Sequence, residues 1–243
     1  MNTTKQIIIG SAAPSTGSVG YQPLSGGATT GLPSPTLAAP AVVSTSGTIN
    51  NLNIRLSTAP TSGKSWVFTV YKNGTATALS ITIANSATTG SNNSNPLSVS
   101  PGDLIYLRVT PVSNPVASNP TSWACEFTPT VAGETLFLGS SMDSTSNAFE
   151  ISPNVCNSST IENFTQVVMP CAGTLKNLYI NLSGAPGSGK TATYKVRKNA
   201  VDTSLTVVIT GTNVIGNNTI DSLSVVAGDL INIALTSDGT ASY

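Results

Sequence analysis

The stretch Gly184-Ala185-Pro186-Gly187-Ser188-Gly189-Lys190-Thr191 satisfies the pattern G-x-x-x-x-G-K-[ST] in full. In a nucleotide-binding protein that spacing lets backbone amides cradle phosphates, puts a lysine on the terminal phosphates and sets a hydroxyl on magnesium. The chemistry also requires a buried strand before the loop and a helix after it, whose N-terminus faces the anion. Here the motif runs into Thr191-Ala192-Thr193-Tyr194-Lys195-Val196-Arg197-Lys198, an alternating, β-branched stretch without a helix signal. The match over Gly184–Thr191 is therefore rejected as a cofactor site. A loop joining two strands accounts for it, and no cofactor is expected.

The remaining reactive groups are sparse. The chain has no histidine, which removes the most usual acid–base catalyst and the commonest metal ligand. Serine or cysteine nucleophiles would lack their usual base, so no catalytic residues are assigned and no enzyme is expected. The ten carboxylates are scattered. Asp143 and Glu150, with the Ser and Asn residues between them, offer only a faint calcium loop, and no metal site is assigned. Three cysteines, Cys125, Cys156 and Cys171, are too few for a disulfide scaffold. Free thiols are favoured over a Cys156–Cys171 bridge, and Cys125, alternating with Trp123 and Phe127, is expected in a core. Lys195, Arg197 and Lys198 form a small basic cluster that reads first as a solvated sheet face. Most aromatics fall at inward strand positions, with no cluster on one face for sugar stacking. Asn73, Gly74, Gly102, Asp103, Gly228 and Asp229 read as structural turn residues. Asn-Gly suits a hairpin turn with positive φ at both central positions, and Asp in a Gly-Asp turn bonds its own backbone.

The elements that would position these residues are strands. Only 8% of the 243 residues are charged, ten basic against ten acidic, while 39% are hydrophobic. Serine (33) and threonine (34) together exceed a quarter of the chain. Such polarity invites a disordered reading, but apolar residues recur at period two in many short runs. No apolar run of about 18 residues exists, so no membrane-spanning helix is expected. Too few positive charges are present to track a phosphate backbone, so nucleic acid is not an expected partner. The N-terminus Met1–Gly10 lacks the apolar length and small-residue cleavage site of a signal peptide.

The strongest signal is an internal repeat. Residues 47–109 align without a gap onto 173–235 at a constant offset of 126, with 27 identities in 63 positions. Ala59-Pro60, Ser62-Gly63-Lys64, Lys72-Asn73 and Gly102-Asp103-Leu104-Ile105 all recur. The openings Ile7-Ile8-Ile9-Gly10-Ser11 and Leu136-Phe137-Leu138-Gly139-Ser140 echo each other. The chain is thus divided into modules 1–131 and 132–243. In module one, alternation and turn residues predict strands at Lys5–Gly10, Ala41–Ser44, Thr48–Ser57, Ser65–Lys72, around Leu79–Ile83, Leu97–Val99, Leu104–Thr110 and Ser122–Thr128. Residues 11–40 read as an extended, largely irregular arm. The expected class is all-β, two tandem antiparallel β-sandwiches of jelly-roll type, with an immunoglobulin-like sandwich as runner-up. Module two has no counterpart of Trp123–Thr128 within the sequence. It is expected to lack its last strand, either because the natural chain continues or because a neighbouring subunit donates one.

The repeated string Gly-Thr-Leu-x-Asn-Leu, Ser-x-Ala-Pro-x-Ser-Gly-Lys, Lys-Asn and Gly-Asp-Leu-Ile resembles a jelly-roll module of structural proteins of tailed phages and other virions. It is also similar to the tumour-necrosis-factor-like tips of bacterial spore-surface filaments. The resemblance covers 47–110 and 173–236, and its motifs specify fold more than role. It implies a non-enzymatic capsid, capsid-decoration or fibre subunit, assembled in the host cytoplasm into a virion. Its partners would be copies of itself or other capsid or fibre proteins. A cell-surface filament subunit or adhesin, or a glycan-binding module, is the alternative.

Overall fold

The fold comes from a computed structural model that describes residues 4–26, 40–118, 120–136, 138, 149–151, 158–159 and 161–238. The chain forms two compact units, Met1–Leu136 and Phe137–Tyr243. Residues 132–136 fold with the first unit, beyond the division at 131 drawn from sequence, because side chains of that unit hold them. Gln6 Nε2 donates to the Leu136 carbonyl and Gln6 Oε1 accepts from the Leu136 amide, both at 2.6 Å, while Thr45 bonds Glu134.

Unit one is built from β1 (Gln6–Ala12), β2 (Gly20–Gln22), β3 (Ala41–Val42), β4 (Gly47–Leu56), β5 (Thr61–Lys72), β6 (Thr75–Asn85), β7 (Thr89–Asn92), β8 (Leu97–Val99), β9 (Leu104–Val112) and β10 (Thr121–Pro129). One sheet has the order β1-β10-β4-β7, with β8 also on β4. The other has the order β2-β9-β5-β6, with β3 also on β9. All of these strand pairs are antiparallel. The chain crosses between sheets at β1–β2, β3–β4, β4–β5, β6–β7, β8–β9 and β9–β10, which is the wrapping of a jelly roll. Two short strands, β2 and β7, lie in stretches that alternation did not mark. Gly-Tyr-Gln and Thr-Gly-Ser-Asn carry no apolar period, so pairing to a neighbour fixes them, not propensity. Residues 27–39 of the expected arm lie outside the described residues.

Alternation supplies the core. Trp66, Phe68 and Val70 of β5, Leu79, Ile81 and Ile83 of β6, and Ile105, Leu107 and Val109 of β9 point inward. They meet Ile49, Leu52, Ile54 and Leu56 of β4 and Trp123, Cys125 and Phe127 of β10, all buried. On β4 the phase slips by one between Ile49 and Leu52. Asn51 takes a left-handed φ of 54° and forms a bulge, and the β4–β10 register shifts there. A short amide side chain tolerates that conformation where a β-branched residue would not. Asn177, at the equivalent place in unit two, has the same φ of 54°.

Unit two contains β11 (Phe149–Ile151), β12 (Ser158–Ser159), a 3₁₀ turn (Glu162–Phe164), β13 (Val167–Val168), β14 (Gly173–Asn181), β15 (Gly187–Lys198), β16 (Val201–Gly211), β17 (Ile215–Val225) and β18 (Leu230–Ser237). One sheet has the order β12-β11-β18-β15-β16, with β13 on β18. The other, among the described residues, is the pair β14-β17. At offset 126, β14 to β18 repeat β4 to β9, the single strand β17 replacing β7 and β8. Its core is Leu182, Tyr194, Val207, Ile209 and Leu235 at one end and Met169, Val196, Leu205, Val225 and Ile231 at the other. Ala192 and Tyr194 stand where unit one has Trp66 and Phe68.

Candidate functional site

Four surfaces carry the residues singled out by sequence. The first is a clamp between two turns, built twice. Asn73 (φ 51°) and Gly74 (φ 79°) turn the β5–β6 hairpin, while Gly102 (φ 90°) lies in the turn before β9. Across the gap Asn73 Nδ2 donates to Asp103 Oδ1 at 2.7 Å, and Asn73 Oδ1 accepts from the Leu104 amide at 2.8 Å. Asp103 Oδ2 accepts from the Ser100 amide at 2.9 Å and pairs with Lys72 Nζ at 3.3 Å. Unit two repeats each contact. Asn199 Nδ2 donates to Asp229 at 2.8 Å, the Leu230 amide to Asn199 Oδ1 at 2.8 Å, and the Val226 amide to Asp229 at 2.8 Å. Lys198 lies 3.0 Å from Asp229, and Gly228 has φ 92°. Burial would raise Asp103, but the Ser100 amide, Asn73 and Lys72 together hold its carboxyl below the ordinary value. The Val226 amide, then Asn199 and Lys198, bring Asp229 down to about 2. Every polar atom in the clamp is directed at the chain itself, so its chemistry is to lock two connections together. Position 200 differs in kind, because Ala200 takes φ 65° where unit one has Gly74.

The second surface is the phosphate-loop match. Gly187 (φ 105°), Ser188, Gly189 (φ 69°) and Lys190 form the bulged start of β15, and the strand continues to Lys198. The Thr191 amide donates to Asp238, and that bond is the first reason the Asp238 carboxyl lies below its ordinary value. A strand stands where the motif needs a helix, and a carboxylate occupies the amide.

The third surface is the outer face of the β9–β5 sheet and its counterpart. In unit one Tyr71 stacks on Tyr106 with centroids 5.3 Å apart, and Tyr21 meets Tyr106 edge-on at 5.8 Å. Arg108 lies over Tyr71 and donates to its hydroxyl. Burial raises the Tyr106 phenol. Three strands thus bring together tyrosines that are remote in sequence, but Tyr106 is buried and Tyr21 and Tyr71 are half-buried, so the cluster is packed and not an exposed stacking platform. In unit two the same face carries ions. Lys195 pairs with Asp202 at 2.7 Å, and Arg197 pairs with Glu162 at 2.7 Å and also with Asp202. The basic cluster seen in sequence is thus neutralised by carboxylates of its own unit, and Lys195 is the first cause of the lowered Asp202.

The fourth surface is the sheet containing β1, β10 and β4. Ile7 and Ile9 project outward from β1, 75% and 65% exposed. Beside them a shallow groove is lined by Asn53, Arg55, Thr89, Ser91 and Ser122. Beneath this sheet Trp123 Nε1 donates to the Leu24 carbonyl at 2.8 Å. The Cys125 thiol is pushed up to about 12 by burial. Cys171 is exposed and free; Cys156 and Asp143 lie outside the described residues, as does the side chain of Glu150. Among the described residues no three His, Cys, Asp or Glu side chains converge as metal ligands, and no helix is long and apolar enough to cross a membrane.

No protein-family profile matches this chain, and no curated protein matches it either.

Proposed function

We propose that this chain is a non-enzymatic structural subunit that acts by assembly, as a capsid, capsid-decoration or fibre component of a virion. The observation that carries the reading is what the duplication has kept. Between the two units the Asn–Asp clamp, the bulge asparagines and the Lys-Asn hairpin corner are held contact for contact. The outward sheet faces have meanwhile diverged from tyrosine and arginine to an ion network. Selection for a rigid body with adaptable faces has that signature, and rigid sandwiches packing side by side are how such bodies assemble. Copies of this chain, or other capsid or fibre proteins, are the partners. The test is a mass-spectrometric count in purified particles. A stoichiometric component supports the proposal, and a protein recovered only free in cell extract refutes it. A second reading, a glycan-binding surface module, has the half-buried Tyr21 and Tyr71 in its favour, backed by buried Tyr106. Binding on a glycan array that Tyr71→Ala abolishes would select it.

A further inference from the structure

Asn73 and Gly74 form the only Asn-Gly dipeptide in the sequence. They sit at the tip of the β5–β6 hairpin, and both are exposed. Asparagine before glycine carries a built-in reaction, because the next main-chain nitrogen can attack the side-chain amide carbon. Glycine, having no Cβ, leaves that nitrogen uncrowded. Nothing lies within 4 Å of where a Cβ on Gly74 would be, so the turn is open on that side.

The clamp holds the reacting group elsewhere. Asn73 Nδ2 donates to Asp103 Oδ1 at 2.7 Å, and Asn73 Oδ1 accepts from the Leu104 amide at 2.8 Å. The Asn73 main-chain amide donates to the Leu104 carbonyl at 2.8 Å. Both polar atoms of the side chain are thereby directed at the connection before β9. Ring closure needs the side chain to swing over its own next amide, which breaks both side-chain bonds. Rates fall steeply when reacting atoms are held out of attack geometry. Unit two is an internal control. Asn199 makes the same two bonds, to Asp229 and from the Leu230 amide, but Ala200 follows it and its Cβ crowds the nitrogen.

We infer that Asn73 is a self-modification site of unit one, held unreacted by the Asp103 clamp and released when that clamp opens. In the step, the Gly74 amide gives its proton to hydroxide and its nitrogen bonds to Asn73 Cγ. The Cγ–Nδ2 bond breaks, and Nδ2 leaves as ammonia with a proton from water. A water molecule then opens the cyclic imide, leaving aspartate or isoaspartate at position 73. Water is consumed, ammonia is released, and nothing is oxidised or reduced. The product cannot re-form the clamp. A carboxylate oxygen replaces the Nδ2 donor and faces Asp103 Oδ1, and like charges so close repel. Lys72, the nearby cation, is already shared between Asp103 and the Ser98 carbonyl. Isoaspartate also adds a carbon to the main chain of a tight hairpin in which Lys72 pairs with Thr75. The change is therefore one-way, and it weakens unit one.

The full chain is incubated at pH 8, folded and in concentrated guanidinium, and deamidation at Asn73 and Asn199 is followed by peptide mapping with mass spectrometry. In the unfolded chain Asn73 should react at least roughly tenfold faster than Asn199, and folding should slow Asn73 at least roughly tenfold. Asp103→Ala, shown to be folded by its tryptophan fluorescence, should recover much of the unfolded rate at Asn73. Gly47→Ala weakens unit one to a similar degree with the clamp intact, and its Asn73 should react more slowly than that of Asp103→Ala. Asn73→Asp should mimic the product and move the tryptophan transition to lower urea. Equal rates for Asn73 in the folded and unfolded wild-type chain would overturn the inference, as would equal rates for Asn73 and Asn199 in the unfolded chain. Asp103→Ala reacting no faster than Gly47→Ala would also overturn it, since general stability and not the clamp would then be the protection. An unchanged urea transition for Asn73→Asp would overturn the one-way loss of the clamp.

Discussion

Gly47→Ala and Gly173→Ala make the same chemical change at the same place in two copies of one sandwich, and their outcomes should have opposite sign. At position 47 the new methyl would stand 2.4 Å from Phe127 Cε2, 2.5 Å from its Cζ and 2.6 Å from the Thr128 carbonyl oxygen. Phe127 is fully buried and the carbonyl is backbone in the β10–β4 ladder, so neither yields freely. Overpacking of this kind costs about 1–3 kcal/mol, and two rigid neighbours favour the upper part of that range. Replacing glycine also narrows the unfolded ensemble, which returns about 0.4–1 kcal/mol. The net loss at position 47 is therefore about 2 kcal/mol. For a unit of this size that lowers the melting temperature by roughly 6–10 °C. At position 173 nothing lies within 4 Å, and φ is not in the left-handed region. Only the chain-entropy gain remains, about 0.4–1 kcal/mol of stabilisation. Both tryptophans, Trp66 and Trp123, belong to unit one, so tryptophan fluorescence during urea unfolding reports that unit alone. Far-ultraviolet circular dichroism reports both units. Gly47→Ala should move the tryptophan transition to lower urea, and Gly173→Ala should leave it in place. Equal destabilisation by the two substitutions would refute the argument, since it would mean that a strand equivalent to β10 already lies over Gly173.

Ala200→Gly should stabilise unit two by about 1 kcal/mol, read as a higher dichroism midpoint, because Ala200 takes φ 65° and an alanine Cβ is strained there. The clamp carboxylates make both units acid-sensitive. Asp229 titrates at about 2 in the folded unit and near 3.8 when unfolded, so its stabilisation is complete above pH 4 and is lost as pH falls through 2. Asp229→Asn should lower the melting temperature at pH 7 and flatten its dependence between pH 4 and 2. Asp103→Ala removes bonds to the Ser100 amide, Asn73 and Lys72 at a site 14% exposed, and should cost unit one about 2 kcal/mol in urea unfolding. Cys125, with its thiol at about 12 and its side chain in the core, should resist iodoacetamide at pH 8 until unit one unfolds, while exposed Cys171 is modified in the native chain. Peptide mapping by mass spectrometry distinguishes the two.

The sequence by itself determined the all-β class, the duplication and most long strands, because a half-buried strand writes its burial as period-two alternation and a hairpin writes its turn as Asn-Gly. It also marked Asn73, Asp103 and Asp229 as turn residues. It could not show that Asn73 reaches across to Asp103, since that bond joins two connections 30 residues apart. The phase slip at Asn51, inside a stretch read as plain alternation, came to light only with the partner strand, whose register shifts there. Tertiary structure alone decided the rest. β2 and β7 exist because a neighbouring edge pairs them, without apolar period or strand propensity of their own. The tyrosine face exists because three strands lie side by side, and the basic cluster is neutral because Glu162 and Asp202 fold against it. Local sequence records what each residue prefers. Which residues share a face is a property of strand order, which is fixed only when distant segments meet.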